Sequence, residues 1–164
     1  MPPGTFSNTP AMKLRCAYLN MHRTFDAYFR RHGVTADQFA LLSVLAEEEG
    51  ITQQELSRKL ASDPNTIAAM VTLLQHREIL RREVRDGDGR AKAVFLTAAG
   101  RKLLARLKSG SSALHQVLEE CFRGEKQQAA FAVLKRVASV MSSARDAEKN
   151  GEAKKRPSRG RSSG

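Results

Sequence analysis

The residues best placed for chemistry lie in one short run, Arg85-Asp86-Gly87-Asp88-Gly89-Arg90-Ala91-Lys92. Aspartates two apart among glycines open a calcium loop, in which oxygen ligands surround a hard cation. Such a loop needs oxygen donors at its first, third and fifth positions, glycine at the sixth and a bidentate glutamate at the twelfth. Counted from Asp86, the last three of those positions hold Arg90, Ala91 and Thr97, so calcium chemistry fails and a cation sits where a ligand should. The other candidates are dispersed. His22, His32, His76 and His115 pair with no Glu or Cys at metal-ligand spacing, and no phosphate-cradling glycine loop or nucleophile turn occurs. Cys16 and Cys121 form no paired motif, which excludes a disulfide framework and a zinc knuckle. The reading is a chain with no metal, no cofactor and no catalytic residue.

The same glycines have another use. RREVR and KAVFL alternate with a period near two on either side of them, and a hairpin turn needs positive φ angles that glycine adopts readily. The aspartates would then bond the turn backbone or hold Arg90 in place.

The elements around this hairpin are helical. Leu14, Tyr18, Met21, Phe25 and Phe29 recur every three or four residues, and Gly33 ends that helix. Thr35 with Gln38 and Thr52 with Glu55 are capping boxes that start two short helices. Ser62 or Asp63 caps the next helix, with Pro64 at its first position, where the missing N–H costs nothing. Its apolar face is Ile67, Met70, Val71 and Leu74, and the opposite face carries Asn65, Ala68, Ala69, Thr72 and His76. Thr97 caps a helix whose apolar spacing continues through SGSS to Cys121. That reads as one long helix, with a break at 109–112 as the alternative. A last helix carries Phe131, Leu134, Val137 and Met141. Residues 1–10 read as a flexible lead-in, 11–144 as the folded body and 145–164 as a disordered basic tail without any aliphatic side chain larger than Ala.

Composition limits the function class. Hydrophobic residues are 41% of the 164 and aromatics 5%, with no Trp, which favours an aliphatic helical core. Formal net charge is +11, and the tail holds seven Lys/Arg against three acids, so most of the surplus belongs to the body. An excess of this size points to an anionic partner, nucleic acid before membrane. No run is long and apolar enough for a signal peptide or a membrane span, so the expectation is a cytoplasmic protein.

A short helix, a tight turn, a second helix and a two-stranded hairpin form a winged helix-turn-helix, in which the second helix enters the major groove. Asn65 suits hydrogen bonds to base edges, and Ala68 or Ala69 suits thymine methyls. The first amides of the Gln53 helix suit a phosphate. Arg77, Arg81, Arg82 and Arg85 can neutralise others. The alternatives are a non-specific nucleic-acid-binding module and a protein-interaction winged helix.

GVTADQFALLSVL, ITQQELSRKLASDPNTI and LLQHREILRREVRDGDGRAKAVFLTAAGRKLL, within residues 33–104, resemble the multiple-antibiotic-resistance regulator (MarR) family. The most specific part is Asp88-x-Arg90 followed by Leu96-Thr97-Ala98-Ala99-Gly100. The resemblance implies a mainly α fold with a β-hairpin wing. The winged helix-turn-helix would span about 35–100, with dimerisation helices at about 11–32 and 101–144. It implies a homodimer on pseudo-palindromic duplex DNA, acting as a repressor released by a small ligand, such as an aromatic acid, or by an oxidant. Gln53, Asn65, Thr66, Ala68, Ala69, Thr72, Arg77, Arg82, Asp88, Arg90 and Lys92 become the candidate DNA-binding residues, with Arg90 at the wing tip reaching the minor groove. Leu14, Tyr18, Phe131, Leu134, Val137 and Met141 become the candidate dimer interface, and Cys16 a candidate redox sensor. Two departures stand out. Ala68-Ala69 replaces the family's frequent hydroxyl residue and arginine, and Glu78 stands where glycine is usual, so Glu78 must tolerate a left-handed backbone.

Overall fold

A computed structural model describes residues 8–85, 88–124 and 126–155, with side chains placed except at 85–91 and 149–155. It divides at His115/Gln116 into two compact units. The first holds helices α1 (Pro10–Arg30), α2 (Ala36–Glu47), α3 (Gln53–Lys59), α4 (Pro64–His76) and α5 (Ala98–Gly110). It also holds strands β1 (Ile51–Thr52), β2 (Leu80–Arg85) and β3 (Asp88–Leu96). Helix α6 (Ser112–Glu120) crosses the division, and α7 (Gln127–Lys155) belongs to the second unit.

Side-chain caps set the helix starts. Thr35 and Thr52 close the two capping boxes, and Thr97 accepts from the Gly100 amide. The choice between Ser62 and Asp63 falls to Asp63, whose carboxylate accepts from the Asn65 and Thr66 amides at 2.8 and 3.4 Å. A further cap comes from α1. The Asp26 carboxylate accepts from the Ala36 amide at 2.9 Å and from Arg30 Nε at 2.5 Å. These two bonds, Arg30 first, hold its pKa below the ordinary carboxylate value.

Three helices end in the same way. A left-handed residue donates to the carbonyl three back, and the next residue donates to the carbonyl five back. This is the Schellman arrangement, which favours glycine at the left-handed position. Only α1 supplies one, Gly33 at φ 76°. After α3 the position is Ala61 at φ 49°, and after α4 it is Glu78 at φ 56°. Glu78 thus adopts the left-handed backbone its position demands, whereas no glycine marks the same conformation at Ala61.

The core lies under the helix-turn-helix. Leu41, Leu42 and Leu45 of α2, Leu56 of α3, and Ile67, Val71 and Leu74 of α4 are fully buried with Val94 and Leu96 of β3. Removing one such leucine to Ala costs about 2–5 kcal/mol. The sheet order is β1-β3-β2, all antiparallel, with Leu80 opposite Leu96 and Ile51 opposite Val94. β1 is an addition to the expected two-stranded wing. It anchors the hairpin's long strand to the entrance of α3.

Three expectations are corrected. The long helix after Thr97 is interrupted at Ser111, between α5 and α6. Gly110 lies against α1, where an added Cβ would fall 2.0 Å from the Tyr28 hydroxyl, so its place in the helix follows from packing. Residues 145–155 are helical because α7 runs on to Lys155; Ala, Glu, Lys and Arg favour helix without needing a core. Residues 8–10 are not all lead-in, since Thr9 caps α1 with Pro10 at its first position. The remainder of the lead-in (1–7) and of the tail (156–164) lies outside the described residues.

Candidate nucleic-acid interface

Helix α4 shows one buried and one open face. Asn65, Thr66, Ala69, Thr72, Gln75 and His76 are exposed, whereas Ala68 is half-buried and so less available to a thymine methyl than its sequence position implies. The turn into α4 is fixed from within. The Ser57 hydroxyl, 9% exposed as a residue, donates to the Ser62 carbonyl at 2.6 Å. That bond holds α3 and α4 at their turn, with Asp63 stabilising the α4 N-terminus through its amides and dipole.

The arginines expected to neutralise phosphates divide into different roles. Arg77 donates through Nη1 to the Gly33 carbonyl at 2.6 Å, tying the end of α4 to the turn between α1 and α2. Arg81 pairs with Glu83 and lies 4.5 Å over the Phe95 ring, on the opposite side of β2 from the core. Strand alternation puts Arg82 on the Leu80 side, toward α4. There Arg82 Nε donates to Gln75 Oε1 at 2.5 Å and Nη2 to the Thr72 hydroxyl at 3.1 Å. Thr72 is therefore engaged by Arg82 as well as exposed. The sequence reading missed Gln75, although it lies three residues beyond Thr72 on the same helical face.

At the start of α3, Gln53 is half-buried. The Glu55 carboxylate accepts from the Thr52 amide at 2.6 Å and from the Thr52 hydroxyl at 2.8 Å. A negative group at that helix end opposes a phosphate, which weakens the case for an anchor there. Lys92 on β3 is exposed. The side chains of Arg85, Asp88 and Arg90 lie outside the described residues, so the wing-tip assignment stays a sequence expectation.

The motif Leu96-Thr97-Ala98-Ala99-Gly100 has a physical role. The Thr97 hydroxyl lies 2.7 Å from the Glu78 carbonyl and 3.1 Å from the Ile79 carbonyl, and the Thr97 amide donates to Ile79 at 3.1 Å. An added Cβ at Gly100 would fall 2.2 Å from that same Ile79 oxygen. Thr97 and Gly100 thus dock the start of α5 onto the turn joining α4 to the wing, and so fix wing and α4 together.

The candidate dimer residues are placed as follows. Leu14 and Tyr18 on α1 are exposed, as are Phe131, Leu134 and Met141 on α7, while Val137 is half-buried. Cys16 and Cys121 are exposed free cysteines. Among the described residues no group of His, Cys, Asp and Glu is arranged to hold a metal.

The MarR family model matches residues 34–92. Transcriptional regulator HosA of Escherichia coli O111:H- is 36% identical over 72 residues, which cover 44% of this chain and 53% of that protein. The chain thus spans about half the length of the curated relatives it matches. The PcaV transcriptional regulator from Streptomyces coelicolor, solved in complex with its natural ligand, superposes with TM-score 0.68 at 26% identity, covering 85% of this chain and 98% of that one. The S. aureus MepR–DNA complex superposes with TM-score 0.74 at 22% identity, covering 84% and 99%, and shares the fold. With the geometry of α3, α4 and the wing, these matches show that residues 34–92, from α2 into β3, are similar to the MarR family and that the chain shares the fold of its solved members.

Proposed function

We propose that this protein is a homodimeric transcriptional regulator that binds pseudo-palindromic duplex DNA in the cytoplasm as a repressor. The observation that carries the proposal is the open face of α4, flanked by an arginine from the wing strand and fixed to the wing through Thr97 and Gly100. Asn65, Thr66 and Ala69 at the N-terminal half of α4 are the base readers. Arg82 and Lys92, with Arg90 at the wing tip, meet phosphate and minor groove. The net charge of +11 supports a polyanionic partner. Exposed apolar side chains on α1 and α7 support a second copy, because they are a poor surface for a monomer in water. No helix among the described residues is long and apolar enough to cross a membrane.

Release by a small acid is part of the same proposal. A groove of about 320 Å³ is lined by Arg30, Gly33, Thr35, Gln38, Leu73 and Arg77. An acid there would compete with the Gly33 carbonyl for Arg77, and so loosen the end of α4 from the α1–α2 turn. That a structural neighbour carries its natural ligand favours this reading.

Duplex affinity measured against salt tests the proposal. Log affinity should fall linearly with log salt, by about 0.9 for each phosphate neutralised. No duplex binding at low salt would favour the protein-interaction reading instead. Equal affinity for all sequences would favour non-specific coating.

A further inference from the structure

We propose that Gln75 and Thr72 form a fixed cradle that presents the Arg82 guanidinium to a DNA phosphate, which makes Gln75 a positioning residue of the interface. This deepens the DNA-binding reading above and rests on it. Arg82 is the third residue of strand β2, and its two partners are three residues apart on α4, one above the other on the same face. The guanidinium is gripped at two different nitrogens, Nε by Gln75 Oε1 at 2.5 Å and Nη2 by the Thr72 hydroxyl at 3.1 Å. Two contacts at different nitrogens fix the plane of the fork as well as its position. Both partners are neutral, and among the described residues no acid pairs with Arg82, in contrast to Arg81, which pairs with Glu83, and Arg101, which pairs with Glu49. A guanidinium carries more N–H donors than these two contacts use, and the rest can grip a phosphate bidentately.

The location suits a phosphate. Arg82 stands where the exposed face of the recognition helix meets the wing, the seam along which a backbone strand would run between the two groove-entering elements. A free arginine loses rotamer freedom when it binds; one already held by Gln75 and Thr72 does not. Thr72 is then not a base reader, and Gln75 contributes without touching DNA.

The test uses the full chain, a labelled random-sequence duplex and a salt titration. A phosphate contact persists on any sequence, so no operator is needed. Arg82→Ala is expected to weaken binding roughly tenfold at low salt and to make the log–log salt slope shallower by about 0.9. Gln75→Ala should weaken binding about two- to tenfold, the range expected for ordering one long side chain, and should cost nothing further once Arg82→Ala is present. Gln75→Glu keeps the acceptor but neutralises the guanidinium, so its slope should match that of Arg82→Ala while its melting temperature stays at the wild-type value. A Gln75→Ala effect of equal size with and without Arg82 would mean that Gln75 contacts DNA itself, and would overturn the cradle. So would an unchanged affinity for Gln75→Ala. Failure of the wild-type chain to bind duplex at all would instead remove the DNA-binding reading, and the cradle with it.

Discussion

Replacing Gly100 with Ala sets two principles against each other. In an exposed helix the change stabilises by about 1 kcal/mol, because glycine is a poor helix former. Here the new Cβ would fall 2.2 Å from the Ile79 carbonyl oxygen, a backbone atom that cannot swing aside. The start of α5 must retreat by about 1 Å to restore an ordinary contact. That retreat stretches the Thr97 amide and hydroxyl bonds to Ile79, both 3.1 Å. Two weakened hydrogen bonds cost about 1 kcal/mol each, and overpacking typically adds about 1–3 kcal/mol. After subtracting the propensity gain, the expected loss is about 3 kcal/mol, or a melting temperature lower by about 6–12 °C for a chain of this size. Urea unfolding followed by circular dichroism reads it as a lower midpoint with an unchanged slope. Gly110→Ala is the control, since its Cβ would meet the end of a rotatable side chain, the Tyr28 hydroxyl, and should cost less. A Gly100→Ala protein more stable than wild type would refute the docking role given to the Thr97–Gly100 motif.

Three other expectations are independent of it. Glu78→Gly should stabilise by about 0.5–1 kcal/mol in the same urea assay, because the left-handed backbone costs a side-chain residue about 1–2 kcal/mol and glycine's extra unfolded entropy returns about 0.5–1. Asp26 has a folded pKa held below its unfolded value, so its contribution is present above the ordinary carboxylate pKa and is lost as pH falls through the folded one. Asp26→Asn should therefore lower stability by about 1 kcal/mol at neutral pH and narrow its gap to wild type as the solution is acidified; a gap that stays constant with pH would contradict the assigned ion pair. Arg90→Ala should weaken duplex binding while melting temperature and oligomeric state hold, as read by fluorescence anisotropy and light scattering.

What could be read from the sequence was what is local. Thr35, Thr52 and Thr97, and the pair Ser62 and Asp63 before Pro64, announced their helices because an N-cap is an agreement between one side chain and amides two or three residues on. The break at Ser111 was hidden because apolar spacing continues across it. Its amide still reaches Leu107 and its carbonyl still accepts from His115, so a one-residue irregularity leaves no trace in the periodicity. Ala61 gave no signal, since a Schellman end is advertised by glycine and this one lacks it. Ile51-Thr52 is too short to show any period, and becomes a strand only because Val94 and Ala93 lie opposite. The candidate site divides the same way. Asn65 and Thr66 followed from the α4 register, whereas the separate roles of Arg77, Arg81 and Arg82 depend on which partner the fold brings near. Arg82 reaches Thr72 and Gln75 only after β2 packs beside α4. The Asp26 cap on α2 likewise spans ten residues of sequence and appears only once the α1–α2 turn is closed.

Selection of bound sequences from a pool of random duplexes tests the central claim most directly. A homodimer presenting two α4 helices should enrich an inverted repeat with half-sites about one helical turn apart, centre to centre. Asn65→Ala should relax the preference inside each half-site without changing the spacing. Enrichment of single, unpaired sites would contradict the dimer, and a pool that emerges as random as it entered would contradict sequence-specific recognition by α4.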